Sequence, residues 1–310
     1  MPAADHVPAV SVVVPCYNGG RFIDQLLDSL SRQTFRDFEL IIVDDGSRDD
    51  TRARLAKLDK SIQVILQDNQ GPGAARNTGI ARARAPIVLA LDCDDTLDPT
   101  FLQETASLMQ SSPPDVGFIF THERLTGLRQ GTEPRYFKLF DQLFINRVPS
   151  CVMFRKKAWS DVGGYDAAMR EGYEDWEFTI ALAAAGYRAL VIPRALFTYR
   201  VSNEGLLLRT SSMMHGELWR RIRTKHRDFY RLPALIRHWW TARDVPGDLR
   251  LTRAINLLMM AALLPDAWFS ALVHRVRAFK MARAQAPVLA ILSPAMTMGE
   301  RFALASSITL

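Results

Sequence analysis

Cysteine is scarce in this 310-residue chain: there are three, Cys16, Cys93 and Cys151. An odd number with no pair at zinc-ligand spacing argues against a disulfide framework and against a structural zinc, and it fits a reducing cytosol. Also missing is a run of about 20 uninterrupted apolar residues, the length a membrane span needs. The most apolar late stretch, Ile255 to Val273, is broken by Pro265 and Asp266, which points to an interfacial or buried helical hairpin. The opening MPAADHVPAV lacks the basic n-region and long apolar stretch of a signal peptide, so export is not expected. Zinc fingers, aromatic-interleaved RNA motifs and internal repeats are absent too, and nucleic acid is therefore not an expected partner.

What is present is a globular composition, 48% hydrophobic, enough for a substantial core in two domains or in one with an appendage. The net charge of +6 conceals an asymmetry: residues 206–310 hold 16 Lys and Arg against 6 Asp and Glu, while residues 1–205 hold 23 against 27. A basic tail of this kind can attract anionic lipid or acidic substrates, or simply be a solvated helical surface.

Along the chain, strand and helix signals alternate. Val10 to Val14 reads as a strand ending at Pro15, and beyond Asn18-Gly19-Gly20 the residues Phe22, Leu26, Leu27 and Leu30 recur at helical spacing. Phe38 to Val43 is a second strand, Thr51 to Leu58 a short helix, and Ile62 to Leu66 a third strand. Gly71-Pro72-Gly73 opens a helix running to Arg84, Pro86 to Leu91 forms a fourth strand, and Pro99 starts another helix. Such alternation predicts a parallel sheet with right-handed crossovers. Val116 to Phe120 reads as one more strand, Thr121 to Pro149 as irregular connection or edge strands, Glu171 to Ala185 as a helix, and Arg188 to Ile192 as a strand. Beyond about Gly205 the sequence turns to Arg- and Trp-rich amphipathic helices.

Chemistry gathers at the strand ends. Val88-Leu89-Ala90-Leu91 delivers Asp92, Asp94 and Asp95 to the carboxyl end of a strand, the place where open α/β sheets bind ligands, and clustered carboxylates there suit a divalent cation. Asp44-Asp45-Gly46-Ser47 has the composition of an Asx-type turn as well as of a ligand-facing loop. Glu174 and Asp175 open a helix, where carboxylates also complement the helix dipole. The glycines at 71 and 73 are not followed by Lys-Ser/Thr, so this is not a P-loop.

Taken in order, Ser11–Gly20 (SVVVPCYNGG), Phe38–Thr51 (FELIIVDDGSRDDT), Gly71–Ile80 (GPGAARNTGI), Leu89–Asp95 (LALDCDD) and Gly163–Asp166 (GGYD) with Glu171–Phe178 (EGYEDWEF) resemble the successive blocks of the family-2 glycosyltransferases. The resemblance covers roughly residues 9–203. It implies a GT-A fold, a mostly parallel, Rossmann-like α/β sheet flanked by helices. Residues 1–205 would form the catalytic domain, with donor binding in about 9–120 and the acceptor and base region in about 121–205, followed by a basic amphipathic helical region at 206–310. It further implies metal-dependent, inverting transfer of a sugar from a nucleotide diphosphate sugar to a hydroxyl of a glycan or lipid-linked acceptor.

Carried over residue by residue, the resemblance places Pro15, Tyr17, Asn18, Asp44, Asp45, Arg76, Asn77, Asp92 and Asp94 at the donor, with Tyr17 against the base and Asp45 hydrogen-bonded to it. Arg76 would reach a phosphate or sugar hydroxyl while Asn77 holds a neighbouring loop. Asp92 and Asp94 form the D-x-D pair, Asp94 first, that would carry Mg²⁺ or Mn²⁺. Asp175 would be the general base, with Glu174 and Trp176 on the acceptor side; Trp176 fits a core position as well as a sugar platform. Arg200, in Tyr199-Arg200, would approach the diphosphate. No Gln-x-x-Arg-Trp motif is present, which suits a non-processive enzyme, cytoplasmic or peripheral on the inner face of the membrane through residues 206–310, where the alternative is a packing or homo-oligomer interface.

Two rivals remain open at this point. Asp92-Cys93-Asp94-Asp95-Thr96-Leu97 approximates the nucleophile motif of haloacid-dehalogenase phosphatases, with Asp92 as nucleophile, although several β/α units precede it and Asp95 stands where that motif has glycine. The other rival is a catalytically silent binding protein with the same fold.

Overall fold

The computed structural model describes residues 6–202, 210–211 and 214–241, together with 255, 257–260, 263–264 and 268. The first half is built on four strands: β1 (Val10–Cys16), β2 (Phe38–Asp45), β3 (Gln63–Gln67) and β4 (Ile87–Ala90). Between them run α1 (Ile23–Ser31), α2 (Thr51–Leu55) and α3 (Pro72–Arg82). β1 pairs in parallel with β2 and β4, and β2 with β3. The central strands are apolar on both faces because both are covered. Val12 and Val14 pack with Ile23 and Leu26 of α1, whereas Val13 packs on the other side with Ala75 and Ile80 of α3. Gly79 lets α3 lie close to β1, since a Cβ there would stand 2.4 Å from Val13 Cγ1.

After β4 come β5 (Thr96–Leu97), α4 (Phe101–Ser111), β6 (Val116–Gly127), β7 (Gly131–Glu133), α5 (Leu139–Gln142) and β8 (Val152–Arg155). Then follow α6 (Lys156–Asp161), α7 (Glu174–Ala184), β9 (Arg188–Val201), α8 (His215–Lys225) and α9 (Leu232–Thr241). The sheet order is β3-β2-β1-β4-β8-β6-β9-β5, with β7 beside β6. β8 runs antiparallel to both β4 and β6, so the expected parallel sheet is a mixed one that is parallel in its first four strands.

Two strands run further than their sequence suggests. β6 continues past Phe120 to Gly127, and β9 past Ile192 to Val201, paired in parallel to their ends. The register shifts where Thr121 and His122 face Ile192 and Ala195. Pro193 and Arg194 are thus a bulge, the place in a strand that tolerates proline. The second half of β9 returns to the D-x-D turn, where Thr198 pairs with Thr96.

Helices α8 and α9 share an apolar cluster with α5 and α7: Leu218, Trp219, Ile222 and Leu235 lie among Phe140, Leu143, Trp176 and Ile180. The Trp219 indole and the Tyr230 hydroxyl both donate to the Leu143 carbonyl, at 2.9 and 2.7 Å. Among the described residues no helix is long and apolar enough to cross a membrane. The hairpin expected over Ile255 to Val273 lies largely outside the described residues.

Candidate active site

Loops at the carboxyl ends of β1 and β2 form one wall. Pro15 and Cys16 end β1, and Tyr17 beyond them keeps 47% of its surface exposed. Asn18 has the left-handed φ of 52° that asparagine tolerates. Its backbone N–H donates to Ser47 Oγ at 2.9 Å, and its Oδ1 accepts from the Arg48 N–H at 2.8 Å, which ties the first turn to the second. Asp44 is fully buried and accepts from the Ser47 N–H at 3.1 Å and from Arg52 Nε at 2.7 Å. Asp45 accepts from Gln67 Nε2 (2.7 Å) and from the backbone N–H groups of Gln70 (2.9 Å) and Gly71 (2.8 Å). Both carboxylates shape the loops, and Tyr17 is the aromatic member of this group with an open face.

Arg76 departs from its expected role. It is 2% exposed, with one guanidinium N–H on Asp92 Oδ1 and another on Glu174 Oε1, each at 2.5 Å, and the Tyr165 ring 5.4 Å from its Cζ. Held there, it neutralises two carboxylates that come from different elements. Asn77 likewise spends its amide inside the protein: Nδ2 donates to the Tyr165 carbonyl, and Oδ1 accepts from Trp159 Nε1 and the Tyr165 N–H. It thereby holds the loop at Gly163 and Gly164, both at positive φ, where a Cβ on Gly164 would lie 2.7 Å from Asn77 Oδ1.

The turn after β4 collects negative charge. Burial, and then the neighbouring Asp92, push the Asp94 carboxyl up to about 6. Asp95 is buried more deeply and is pushed well up by burial and by Asp94 and Asp92; its Oδ1 accepts from the Arg200 N–H at 2.8 Å. Arg200 closes over this turn, donating from Nε to the Asp94 carbonyl at 3.1 Å and from Nη2 to Gln25 Oε1 at 2.6 Å. Among the described residues no three or more His, Cys, Asp or Glu side chains are grouped to hold a metal ion. The residues fit a divalent cation all the same: Asp94 and Asp92 are hard oxygen donors whose mutual repulsion a cation would relieve. Mg²⁺ sites commonly take one or two carboxylates, with phosphate and water completing the shell.

The opposite wall is the start of α7. Tyr173 takes a left-handed φ of 66° just before it, and its hydroxyl hydrogen-bonds His215 Nδ1 at 2.9 Å. Burial pushes Glu174 up to about 7 against the pull of Arg76. Asp175 is partly exposed, and burial raises its carboxyl above the ordinary value. Its Oδ1 accepts from the Trp176 N–H at 2.7 Å and its Oδ2 from Asn146 Nδ2 at 3.3 Å.

Two residues expected on the acceptor side lie inside the protein. Trp176 is 1% exposed, donates its indole N–H to the Gln142 carbonyl and stacks on His215, so it offers no face to a sugar. Glu174 is buried against Arg76.

Asn146 and Gln142 had not been singled out, because they fall in the stretch read as irregular. The available signal was weak: two amides four residues apart, which share a helix face, set among Phe140, Leu143 and Phe144.

A half-parallel sheet with a D-x-D turn at the end of β4 and a carboxylate-led helix facing it has the GT-A fold. Solved structures share it. Residues 1–349 of S. aureus TarS, in complex with UDP-GlcNAc, superpose with a TM-score of 0.61 at 20% identity, covering 96% of this chain and 90% of that one. The mannosyltransferase PcManGT from Pyrobaculum calidifontis, in complex with GDP-Man and Mn²⁺, gives 0.56 at 19% identity, covering 99% and 88%.

In sequence, the Glycosyl transferase family 2 model matches residues 11–163. The uncharacterized glycosyltransferase YwdF of Bacillus subtilis is 31% identical over 208 residues, 63% of this chain and 75% of YwdF. The putative glycosyltransferase EpsH of the same organism is 43% identical over 100 residues, 31% of this chain, and the match spans 29% of EpsH. The chain belongs to glycosyl transferase family 2.

Proposed function

We propose that this chain moves a sugar from a nucleotide diphosphate sugar to a hydroxyl of a glycan or lipid-linked acceptor, one residue at a time and with inversion at the anomeric carbon. The observation that carries the reading is the Arg76 bridge, which fixes the D-x-D carboxylate Asp92 and the base-bearing start of α7 in one crevice. Asp94 and Asp92 would hold Mg²⁺ or Mn²⁺. Such a cation supplies neutralisation of the charge that grows on the leaving diphosphate.

The chain's own groups do the rest. The open face of Tyr17 stacks on the base, over loops that Asp44, Asp45 and Asn18 hold in place. Arg200 adds positive charge beside the D-x-D turn. Asp175 takes the proton from the acceptor hydroxyl as that oxygen attacks, and the burial that raises its pKa strengthens it as a base. Glu174, bound to Arg76, is not free to act as a nucleophile, so direct displacement with a single base follows. Membership of the family and the pairing of Asp92, in the turn after the fourth strand, with Arg76 argue against the phosphatase alternative.

The test is a panel of UDP- and GDP-linked sugars with Mn²⁺ or Mg²⁺ and saccharide or polyprenyl-linked acceptors, with product configuration read by NMR. Transfer that survives both Asp94→Asn and Asp175→Asn would overturn the assignments. Donor binding without turnover would leave a silent binding protein. The basic residues 206–310 are proposed as a peripheral contact to anionic membrane, and flotation of the full chain with anionic and neutral vesicles tests this, since equal absence from both rejects it.

A further inference from the structure

We propose that Asn146 is a positioning residue for the base: its side-chain amide holds the Asp175 carboxylate in the orientation from which it accepts a proton. The inference rests on the reading of Asp175 as that base.

The carboxylate is gripped at both oxygens. Oδ1 takes the Trp176 N–H from within α7, and Oδ2 takes Asn146 Nδ2 at 3.3 Å from the segment that follows α5. The direction of the Asn146 amide is set by its other end. Its Oδ1 accepts from Gln142 Nε2 at 2.9 Å and from the Val148 N–H at 3.3 Å, so the NH₂ group is the end turned toward Asp175. Gln142 is fixed in turn, since its Nε2 also donates to Thr179 Oγ1 at 2.9 Å and its Oε1 accepts from the Arg147 N–H at 2.8 Å. Thr179 closes the circuit on the Trp176 carbonyl at 3.0 Å. A chain of amides therefore leaves α7 at Thr179, crosses to Gln142 and Asn146, and returns to α7 at Asp175, and reversing any one amide would break a donor–acceptor pair.

Oδ1 already organises the turn through Val148. The N–H given to Asp175 is a separate commitment. It favours the charged carboxylate, against the burial that raises it and against the negative charge of Asp92; Arg76 from α3 acts in the same sense as Asn146. Glu174, beside Asp175 in sequence, is engaged by Arg76. A 3.3 Å bond is long, as catalytic hydrogen bonds often are before substrate arrives.

Asn146→Asp retains an oxygen acceptor for Gln142 and Val148 and removes the donor, so it separates positioning from folding. Asn146→Ala removes donor and acceptor together without adding charge, and is read with its melting temperature beside that of Asn146→Asp. In the full-length protein both are expected to lower kcat roughly tenfold or more, the scale of one hydrogen bond to a charged group. The acid limb of the kcat–pH profile should move to higher pH, with donor KM unchanged. A wild-type kcat, an acid limb that stays in place, or a collapse of the melting temperature in both variants overturns the proposal. Asp175→Asn is measured beside them. If it remains active, the base reading itself fails and the proposal with it; if it is inactive while the Asn146 variants behave as wild type, positioning alone fails.

Discussion

Arg76 and Glu174 are 98 positions apart in the chain and 2.5 Å apart in space, joined by a charge-assisted hydrogen bond in a site almost closed to water. The same guanidinium reaches Asp92 on the far side. One buried cation thus balances two carboxylates that come from different elements, and the distance between the D-x-D turn and the start of α7 is set by its fork. Removing it would leave both anions uncompensated where desolvation is costly.

Arg76→Met should therefore destabilise the fold by about 3–5 kcal/mol, the range found when one partner of a buried pair is deleted. Arg76→Lys should recover little of this, since one ammonium cannot reproduce the planar, two-sided geometry. Denaturant melts of the three proteins test the point, and a lysine variant as stable as wild type would show that charge alone suffices.

Glu174 makes a prediction in pH. Its carboxyl stands near 7 in the folded protein against about 4.3 in an unfolded chain, so the folded state binds the proton more tightly. Its contribution is fully present below the unfolded value and is lost as pH rises through the folded one. Stability attributable to this residue should fall between about pH 4.3 and 7 and level off above. Glu39 and Asp166, both held low, act in the opposite sense, so the quantity to measure is the difference between wild type and Glu174→Gln across that range. A difference that does not change with pH would contradict the assignment.

The first four strands are legible in the sequence for a simple reason. β1, β2 and β4 are short, largely buried apolar runs that need no periodicity to be read, and β3, at the sheet edge and only partly covered, is marked by its Val64-Ile65-Leu66 run. The second half hides its strands. β6 carries His122, Glu123 and Arg124 through its outer part, and β9 contains Pro193 at a bulge that only the pairing with β6 explains. The order of the acidic blocks likewise marks the crevice, but local spacing cannot say which side chains are already occupied. Arg76 and Trp176 look equally available in the sequence, and both are enclosed by residues that lie far away along the chain.

Gly79 tests the close seat of α3 on β1. A methyl group there would stand 2.4 Å from Val13 Cγ1 and 3.1 Å from Val43 Cγ2, neither of which has room to move within a sheet covered on both sides. Gly79→Ala gains helix propensity worth about 1 kcal/mol but should still be destabilising overall, by about 1–3 kcal/mol, because overpacking a filled interior dominates. An increase in melting temperature would mean that the helix can lift away from the strand without penalty.

Trp219 tests whether α8 supports α7, the helix proposed to carry the base. Its ring lies parallel to His215, which stacks in turn on Trp176 of α7, and its indole N–H is bound to the Leu143 carbonyl at the end of α5. Trp219→Ala would open a cavity between α5, α7 and α8 and should cost about 3–5 kcal/mol, as truncations of large buried aromatics do. Since α5 leads directly to Gln142 and Asn146, the same variant should lose turnover more than donor affinity, while Trp240→Ala, an exposed position on α9, should change neither. Calorimetry paired with steady-state kinetics separates the two effects. Loss of stability with kcat intact would make α8 a simple support for the fold, whereas loss of both would place the C-terminal helices in the machinery that sets the base.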